Sequence, residues 1–326
     1  MKTLASSVLK RLADGEFHSG EALARSLEVS RASVWHAVRE LDAAGLEIYK
    51  VHGRGYRLQQ SLTLLDRNSI ERELGADAGR FVLDVRGEAD STNTVVMQRA
   101  AAGAPSGTVL AVEWQPGGRG RLGRAWHSGV GEALTFSLLW RFARGASALS
   151  GLSLAVGLAL ARTLEAEGAA AVGLKWPNDV LWRGRKLAGI LIELAGDALG
   201  PTAAVIGVGV NVRLTDATRE RIGQPTVDLD AICGAPPDRN RLLARMLAQL
   251  GATLDDFARA GFAPLRTEWR RRHALQGKRV TLTFPDGSRQ AGRAGGVAED
   301  GSFLLETRAG TKRYHSGEIS LRPRHR

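Results

Sequence analysis

Three successive kinds of residue pattern predict that this 326-residue chain is a multidomain α+β protein. Residues 1–62 have the spacing of short helices followed by a hairpin. Residues 63–274 mix strand-like runs with amphipathic helices, and residues 275–326 hold short strands joined by glycine-rich turns. In order, these patterns predict a winged helix-turn-helix domain, a central mixed β-sheet with helices, and a small SH3-like β-barrel.

The first domain has the helix order of a DNA-binding unit. Apolar residues repeat at helical spacing from Leu4 to Leu12, and a short second helix is predicted over 21–27. Ser30 is a favourable N-cap for a third helix, which Gly45 ends. The second helix of such a pair suits the major groove of DNA. The residues expected to contact DNA are Ser30, Arg31, Ser33, Trp35, His36, Arg39 and Arg54.

Arg54 belongs to a predicted wing, because residues 48–58 (IYKVHGRGYRL) alternate like two strands around a glycine-flanked tip. From that tip Arg54 could reach a phosphate or the minor groove. The alternative is an ordinary three-helix domain with a solvated basic face. Trp35 could equally pack against the preceding helix.

In the central domain, strand-like runs cover residues 81–87, 108–115, 133–142, 172–176, 187–194 and 203–212. Helices are predicted around 94–102, 148–167, 239–260 and 264–274. Hairpin-like joins alternate with helical crossovers, which favours a mixed or mostly antiparallel sheet over a doubly wound one. The terminal domain has turns at Asp286-Gly287 and Asp300-Gly301.

The composition excludes several classes of protein. The single cysteine, Cys233, excludes an internal disulfide and any site built from several cysteines. Lys10 and Arg11 interrupt the first apolar run, so we expect no signal peptide, and the apolar stretch 151–161 is too short to span a membrane. We therefore expect a soluble, cytoplasmic protein with no membrane partner. The net charge of +11 permits polyanionic partners such as nucleotides or nucleic acid.

The stretch WQPGGRGRLGRAWHS (114–128) has G-x-G-x-x-G spacing with arginines between the glycines. A dinucleotide-binding turn would need a helix directly after it and an acidic residue about twenty positions on. Here the chain stays irregular and runs into a strand, and Glu132 is the one acid between Glu113 and Glu165. The dinucleotide hypothesis therefore fails.

The same stretch suits another anionic ligand. Glycines let backbone N–H groups approach an anion, and arginines donate in pairs to phosphate or carboxylate oxygens. Trp126 can stack on a purine. Because the arginines repel one another, we expect the loop to become ordered only when a polyanion binds. A flexible basic loop without a ligand is the alternative.

A second informative stretch, LKWPNDVLW (174–182), places Lys175 at a strand end beside a rigid turn, which makes it a positioned charge. Asn178 and Asp179 could help to hold the Mg²⁺ of a nucleotide, although capping the turn would be a sufficient role. Elsewhere, Ser91 to Asn93 begin a helix as caps or as pocket residues. There is no H-E-x-x-H, G-x-S-x-G or Walker A motif.

Together these motifs resemble the bacterial bifunctional biotin protein ligases that are also biotin operon repressors. The resemblance rests on DSTNT (90–94), EWQPGGRGRLGRAW (113–126), KWPNDV (175–180), RKLAGILIEL (185–194), GVGVNV (207–212) and GEISLR (317–322). With the winged helix and the terminal barrel, it extends over nearly the whole chain. It implies that biotin and MgATP form biotinyl-5′-AMP, and that biotin then passes to a lysine of the biotin carboxyl carrier protein.

The resemblance also implies roles for individual residues. Lys175 would be catalytic, in contact with both the biotin carboxylate and the phosphate. The biotin-binding residues would be Ser91, Thr92, Asn93, Gln115, Arg119, Gly120, Arg121, Lys175, Gly189 and Gly207. The ATP- or adenylate-binding residues would be Arg119, Arg121, Trp126, Asn178 and Asn211, and no metal would be held by the protein alone. The adenylate-bound protein would form a homodimer that binds a two-fold operator.

Three alternatives remain at this point. The chain could be a lipoate–protein ligase, which shares the core chemistry, although the GRGRLGR loop, KWPND and the DNA-binding head favour biotin. It could be a transcription regulator that senses biotin without catalysis, against which the intact lysine and arginine loop argue. It could also be a ligase whose N-terminal domain no longer binds DNA.

Overall fold

The structure is a computed structural model that describes residues 3–196, 200–315 and 320–323. Its N-terminal unit is a winged helix-turn-helix, as predicted. The elements are α1 (Thr3–Leu12), α2 (Gly20–Ser26), α3 (Arg31–Ala43), β1 (Ile48–Val51) and β2 (Gly55–Leu58). Ser19 and Ser30 cap α2 and α3, each accepting a hydrogen bond from a backbone N–H three residues later.

The wing, β1 and β2, is short and is tied to the loop before α2. His18 exchanges two backbone hydrogen bonds of 2.9 Å with Tyr56. Gly55 permits this approach, since its φ is +103° and a Cβ there would lie 2.1 Å from the carbonyl oxygen of His18. The orientation of the wing is therefore fixed by backbone contacts.

The central domain is built on a seven-stranded sheet in the order β3-β4-β5-β9-β8-β7-β6. Its strands are β3 (Val82–Glu88), β4 (Thr108–Trp114), β5 (Ala133–Phe142), β6 (Val172–Lys175), β7 (Asp179–Trp182), β8 (Arg185–Gly196) and β9 (Thr202–Asn211). Only β3 and β4 run parallel, and every other neighbouring pair is antiparallel. The predicted mixed, mostly antiparallel sheet is confirmed.

Seven helices accompany this sheet within the described residues. They are α4 (Arg67–Leu74), α5 (Thr92–Ala101), α6 (Leu152–Ala166), α7 (Asp216–Ile222), α8 (Leu229–Cys233), α9 (Arg239–Ala260) and α10 (Arg266–Arg272). Two predicted helices are shorter than expected. Gly151, with φ of +84°, separates α6 from a 3₁₀ turn at Ala146–Leu149, and a second 3₁₀ turn at Ala263–Leu265 precedes α10.

The apolar stretch around α6 is a core element. By length and composition, Ala146–Ala166 is the one described helical stretch that could cross a membrane, but most of it is buried. In α6, eleven of fifteen residues are buried, and the helix packs against α9. This is the burial expected of a core helix.

The C-terminal unit is a five-stranded antiparallel sheet in the order β13-β12-β11-β10-β14, consistent with the predicted SH3-like domain. Its strands are β10 (Arg279–Thr283), β11 (Arg289–Val297), β12 (Phe303–Thr307), β13 (Gly310–Tyr314) and β14 (Ser320–Pro323). Both predicted turns are present, with Gly287 and Gly301 at φ of +80° and +78°.

Buried contacts join both smaller units to the central domain. Trp176, at the end of β6, lies 5.3 Å from the ring of Phe303 and donates from Nε1 to the carbonyl oxygen of Gly301 at 3.2 Å. On the other side, Val130 of the central domain is buried in the apolar core of the N-terminal unit, and Arg213 donates from Nη1 to Gln60 Oε1. The central domain is therefore joined to both smaller units by buried contacts.

Candidate functional site

A cavity of about 1180 Å³, including its open mouth, lies on one face of the central sheet. Every residue predicted to bind biotin, ATP or the adenylate lines it: Ser91, Thr92, Asn93, Gln115, Arg119, Gly120, Arg121, Trp126, Lys175, Asn178, Gly189, Gly207 and Asn211. These residues come from the start of α5, the 115–128 loop, the turn between β6 and β7, and the three strands β6, β8 and β9. The fold thus brings together side chains separated by up to 120 positions in the sequence.

One end of the cavity is lined by small polar groups from the start of α5. Ser91 is the N-cap, while Thr92 and Asn93 are buried. The Oε1 of Gln115 accepts from both the N–H and the hydroxyl of Thr92. The hydroxyl of Ser137 lies 2.7 Å from Thr92 Oγ1 and 2.6 Å from Asn93 Oδ1. This end presents a rigid set of donors and acceptors around a confined space.

Asn93 also occupies the space that Gly207 leaves open. A Cβ on Gly207 would lie 2.2 Å from Asn93 Oδ1, so this glycine accommodates a neighbouring side chain. The amide nitrogen of Asn93 donates to Glu193 Oε2 at 2.8 Å. The resemblance assigned Gly207 to biotin binding, and the structure places an asparagine side chain against it.

Two other glycines form a bare patch beneath Trp126. Gly189 and Gly209 face each other across β8 and β9. A Cβ would lie 3.2 Å from the Trp126 ring at Gly189 and 2.5 Å from it at Gly209. The ring therefore lies on the sheet, and Lys186 Nζ is 5.9 Å from its centroid. Glycine at both positions is what allows this aromatic surface to enter the pocket.

The 115–128 loop forms a tight hairpin over the cavity. Gly120 N–H donates to the carbonyl oxygen of Arg124 at 2.7 Å, and Trp126 N–H donates to that of Gly118 at 2.8 Å. Arg119 extends to Glu193, 3.1 Å away, and to the hydroxyl of Thr94. The expectation that this loop becomes ordered only with a polyanion stays a prediction.

Arg121 lies deeper than the other arginines of the loop. Its Nη1 donates to Asn178 Oδ1 at 3.3 Å. Burial lowers the pKa of this guanidinium, the negative charge of Asp179 opposes that change, and the positive charge of Arg124 adds to it. The amide nitrogen of Asn178 donates to the carbonyl oxygen of Ile190, so both ends of this side chain have protein partners.

The chemical centre of the pocket is a carboxylate between two lysines. Asp179 lies 3.1 Å from Lys175 Nζ and 2.7 Å from Lys186 Nζ. The strand register produces this arrangement, because Lys175 pairs with Asp179 and Asp179 with Gly189 across β6, β7 and β8. Burial would raise the pKa of Asp179, but the charges of Lys186 and Lys175 and their hydrogen bonds outweigh it and lower the pKa to about 2.

Two buried polar atoms that line this pocket have no protein partner among the described residues. Asn211, 2% exposed, donates from its amide nitrogen to the carbonyl oxygens of Lys186 and Val227, while its Oδ1 accepts no hydrogen bond. The Nε1 of Trp126 is also unpaired. A buried acceptor and a buried donor without partners are what a polar ligand would complete.

The charge of the lining favours an anionic ligand. Lys175, Lys186, Arg119, Arg121 and Arg124 face a single carboxylate, Asp179, among the lining residues that the structure describes. No group of three or more His, Cys, Asp or Glu residues that could hold a metal ion occurs in residues 3–196, 200–315 and 320–323. A divalent cation that enters with phosphate groups would be part of the substrate.

Sequence reasoning assigned no role to three residues of the site. Lys186, which lines the cavity, and Glu193 appeared only within the motif RKLAGILIEL, and Ser137 only within a strand-like run. Glu193 and Ser137 do not line the cavity, but both hydrogen-bond to Asn93. Lys186 could have been found, because its strand pairs with the one that Asp179 begins. Leu321, 2% exposed, also lines the cavity, whereas residues 317–319 of the GEISLR motif lie outside the described residues.

The residues predicted to bind DNA divide into three groups. Arg31, Trp35, His36 and Arg39 are exposed on α3. Ser30 and Ser33 are engaged with each other, their hydroxyl oxygens 2.9 Å apart at the N-cap. Arg54 is exposed on the wing, but its guanidinium lies 4.2 Å from the ring centroid of Phe17. The arginine therefore folds back onto its own domain, which the sequence did not predict.

Comparisons with known proteins match all three units. Residues 88–211 match the biotin/lipoate A/B protein ligase family, residues 5–57 an HTH domain, and residues 276–322 the biotin protein ligase C-terminal domain. The bifunctional ligase/repressor BirA of Salmonella typhimurium is 37% identical over 98% of both chains. The biotin--[acetyl-CoA-carboxylase] ligase of Mycobacterium tuberculosis is 38% identical over 78% of this chain and 95% of its own.

Solved structures agree with these matches. The biotin protein ligase of Aquifex aeolicus in complex with biotin and ATP superposes with a TM-score of 0.65 and 31% identity, and it covers 74% of this chain and 99% of its own. With the full-length similarity to BirA and matches for all three units, the chain belongs to the family of bifunctional biotin protein ligases and repressors.

Proposed function

We propose that this protein activates biotin with MgATP to biotinyl-5′-AMP and then transfers biotin to a lysine of the biotin carboxyl carrier protein. The observation that carries the proposal is that one cavity combines three kinds of lining. Small neutral polar groups lie at the start of α5, two lysines share one carboxylate, and the 115–128 loop contributes arginines and an aromatic ring. Biotin, the reacting groups and adenosine need these three environments.

The neutral lining is assigned to the biotin ring system. Ser91, Thr92, Asn93 and Gln115 supply donors and acceptors for the ureido group, and Gly189 and Gly207 leave room beside it for the side chains of Trp126 and Asn93. Hydrogen bonds link Thr92 to Gln115 and Ser137, so these groups are fixed before the ligand arrives. A preorganised polar pocket discriminates strongly against ligands that leave its groups unpaired.

The lysines are assigned to the reacting atoms. In the first step the biotin carboxylate must approach the α-phosphate, and two unit charges 4 Å apart repel by about 4 kcal/mol at an intermediate dielectric. Lys175 offsets this repulsion and stabilises the charge that develops on the phosphate oxygens. Lys186 shares Asp179 with it and lines the same cavity, so we assign it a parallel role.

The basic lining is assigned to the nucleotide. Arg119, Gly120 and Arg121 close over the carboxylate and the adenylate, and Asn178 orients Arg121. Trp126 stacks on the adenine, and the unpaired Oδ1 of Asn211 can accept from the exocyclic amine. Mg²⁺ enters with the ATP phosphates as part of the substrate.

In the second step, the amine of the acceptor lysine attacks the carbonyl carbon of the mixed anhydride and AMP leaves. The adenylate itself is the activated species, so no covalent bond to the protein is needed. The positive charges around the phosphate stabilise the departing AMP.

A transfer assay tests the ligase. We expect the protein with biotin and MgATP to add one biotin to a purified carrier domain, measured by intact mass. A carrier in which the acceptor lysine is replaced by arginine should remain unmodified. Equal labelling of that control would contradict enzymatic transfer, and no labelling of either carrier would contradict the proposed function.

We also propose that the adenylate-bound form is a cytoplasmic homodimer that represses biotin synthesis genes. Support comes from the winged helix-turn-helix and from the exposed arginines of α3. Gel-shift on DNA upstream of its own biotin genes should show a complex that requires biotin and MgATP together. A complex of equal strength without ligands would contradict regulation by the adenylate, and no complex would contradict repression.

A further inference from the structure

The DNA-facing helix α3 exposes a large aromatic surface to solvent. All seven tryptophans lie within the described residues, and only Trp35 is exposed, at 44%. Its neighbours Val34, Ala37 and Val38 are buried in the core of the domain. A tryptophan exposed on the helix that would meet DNA can bury its ring against that partner.

Trp35 forms a compact unit with two neighbouring side chains. The guanidinium of Arg39 lies 4.9 Å from its ring centroid, and His36 meets the ring edge to face at 4.9 Å. Residues four apart lie on one side of a helix, so Arg31, Trp35 and Arg39 form a continuous row. Arg39 has no carboxylate partner in the described part of the chain.

We infer that Trp35 and Arg39 read two neighbouring bases in the major groove: Trp35 contacts the C5 methyl group of a thymine, and Arg39 donates to a guanine beside it. This inference rests on the proposed repressor function. The thymine methyl is the apolar group that base edges offer in the major groove, so it is the partner that a bare indole can select. The indole in turn holds the Arg39 guanidinium, which favours bidentate donation to guanine O6 and N7.

Duplex DNA fits this face better than a protein does. The row carries positive charges at both ends, from Arg31 and Arg39, with no acidic residue between them on that side. The wing contributes little reach, because Arg54 lies on Phe17. We therefore assign base recognition to α3. At the start of this helix the hydroxyls of Ser30 and Ser33 are already bonded to each other, so we do not assign base contacts to them.

Selection from random DNA tests the inference. The full-length protein with biotin and MgATP would be used to enrich binders from a pool of random 40-base-pair duplexes, in parallel with Trp35→Ala, Trp35→Phe and Arg39→Lys. We expect the wild-type sites to contain a thymine next to a guanine in each half-site. The Trp35→Ala protein should lose the thymine preference, and Arg39→Lys should lose about tenfold in preference for the guanine.

Replacing that thymine by uracil in the best duplex isolates the methyl contact. Fluorescence anisotropy should show about fourfold weaker binding by the wild type and no difference for Trp35→Ala. Trp35→Phe should retain part of the preference. Biotin transfer should be unchanged in all variants, because Trp35 and Arg39 do not line the cavity.

The outcomes separate this inference from the proposed function. If the wild type enriches a sequence and Trp35→Ala enriches the same sequence with equal affinity, the inference is wrong while repression stands, and a protein partner for this face would follow. If the wild type enriches no sequence, the repressor proposal fails and the inference fails with it.

Discussion

Replacing Asp179 with asparagine tests how the reactive centre is held. The substitution keeps the size of the side chain but removes the charge between Lys175 and Lys186, whose Nζ atoms lie 3.1 and 2.7 Å from it. Two ammonium groups would then face each other without a counter-ion. We expect both the stability of the central domain and the rate of adenylation to fall.

The magnitude follows from the pKa of Asp179. The pKa is lowered from 3.8 to about 2, and one pKa unit corresponds to about 1.4 kcal/mol, so the ionised form gains about 2 kcal/mol from the fold. A lowered folded-state pKa means that this stabilisation is complete above pH 3.8 and is lost as the pH falls to 2. At pH 7, Asp179→Asn should therefore unfold about 2 kcal/mol more easily. The rate should drop by about ten- to a hundredfold, as expected when positioned groups move by an ångström.

Urea denaturation and single-turnover adenylate formation measure the two effects. Asp84→Asn is the matched control, because Asp84 also bridges two cations, Arg86 and Arg99, but does not line the cavity. The control should lose stability and keep its adenylation rate. Wild-type adenylation by Asp179→Asn would refute the assignment of the paired lysines to the reacting atoms.

Three further predictions concern two residues of the site and one buried histidine outside it. Lys175→Ala should slow pyrophosphate exchange by about two to three powers of ten without unfolding the protein, as for loss of an oxyanion donor; near-normal turnover would remove this lysine from the chemistry. Arg121→Gly should release free adenylate into solution, measured by biotinylation of a bystander protein, and unchanged release would argue against the loop as a lid. His273 is buried, and burial lowers its pKa to about 4; the hydrogen bond that its Nδ1 donates to Gln276 Oε1 opposes this change, and the charges of Arg270 and Lys278 add to it. The unfolded chain takes up this proton at a higher pH than the folded protein does, so the free energy of unfolding should fall by about 3 kcal/mol between pH 6.5 and 4. His273→Phe should flatten that dependence. Parallel pH profiles of the unfolding free energy in urea for the variant and the wild type would contradict this role of His273.

The sequence predicted most of the architecture because its local signals agree. Ser30 before a helical repeat, the hairpin-like joins of the central strands and the Asp-Gly turns each specify a short-range structure, and the fold preserves them. The helix predicted over 148–167 was too long, because its composition did not show that Gly151 adopts a left-handed conformation.

The pocket was predictable where residues form a motif and unpredictable where strand register brings them together. The 115–128 loop and the KWPND turn are each one continuous stretch of the sequence, and all of their predicted site residues line the cavity. Asn93 filling the space above Gly207, and Trp126 lying on Gly189 and Gly209, depend on which residues face each other across strands. Those pairings involve long sequence separations, which periodicity does not encode.

The withdrawal of Arg54 onto Phe17 is a similar case. Each residue looked independent in the sequence, since Phe17 lies between α1 and α2 and Arg54 lies between β1 and β2. The backbone contacts between His18 and Tyr56 bring the two side chains together. A tertiary contact of this kind redirects a side chain that local pattern assigns to solvent.

ATP–pyrophosphate exchange with biotin, with lipoate and with neither tests the central claim most directly. The assay detects adenylate formation without any acceptor protein, so it isolates the chemistry assigned to the cavity. We predict exchange that depends on biotin and on MgATP. Exchange with lipoate alone would show that the pocket activates lipoate and not biotin. No exchange with either acid would contradict the assignment of this site to catalysis.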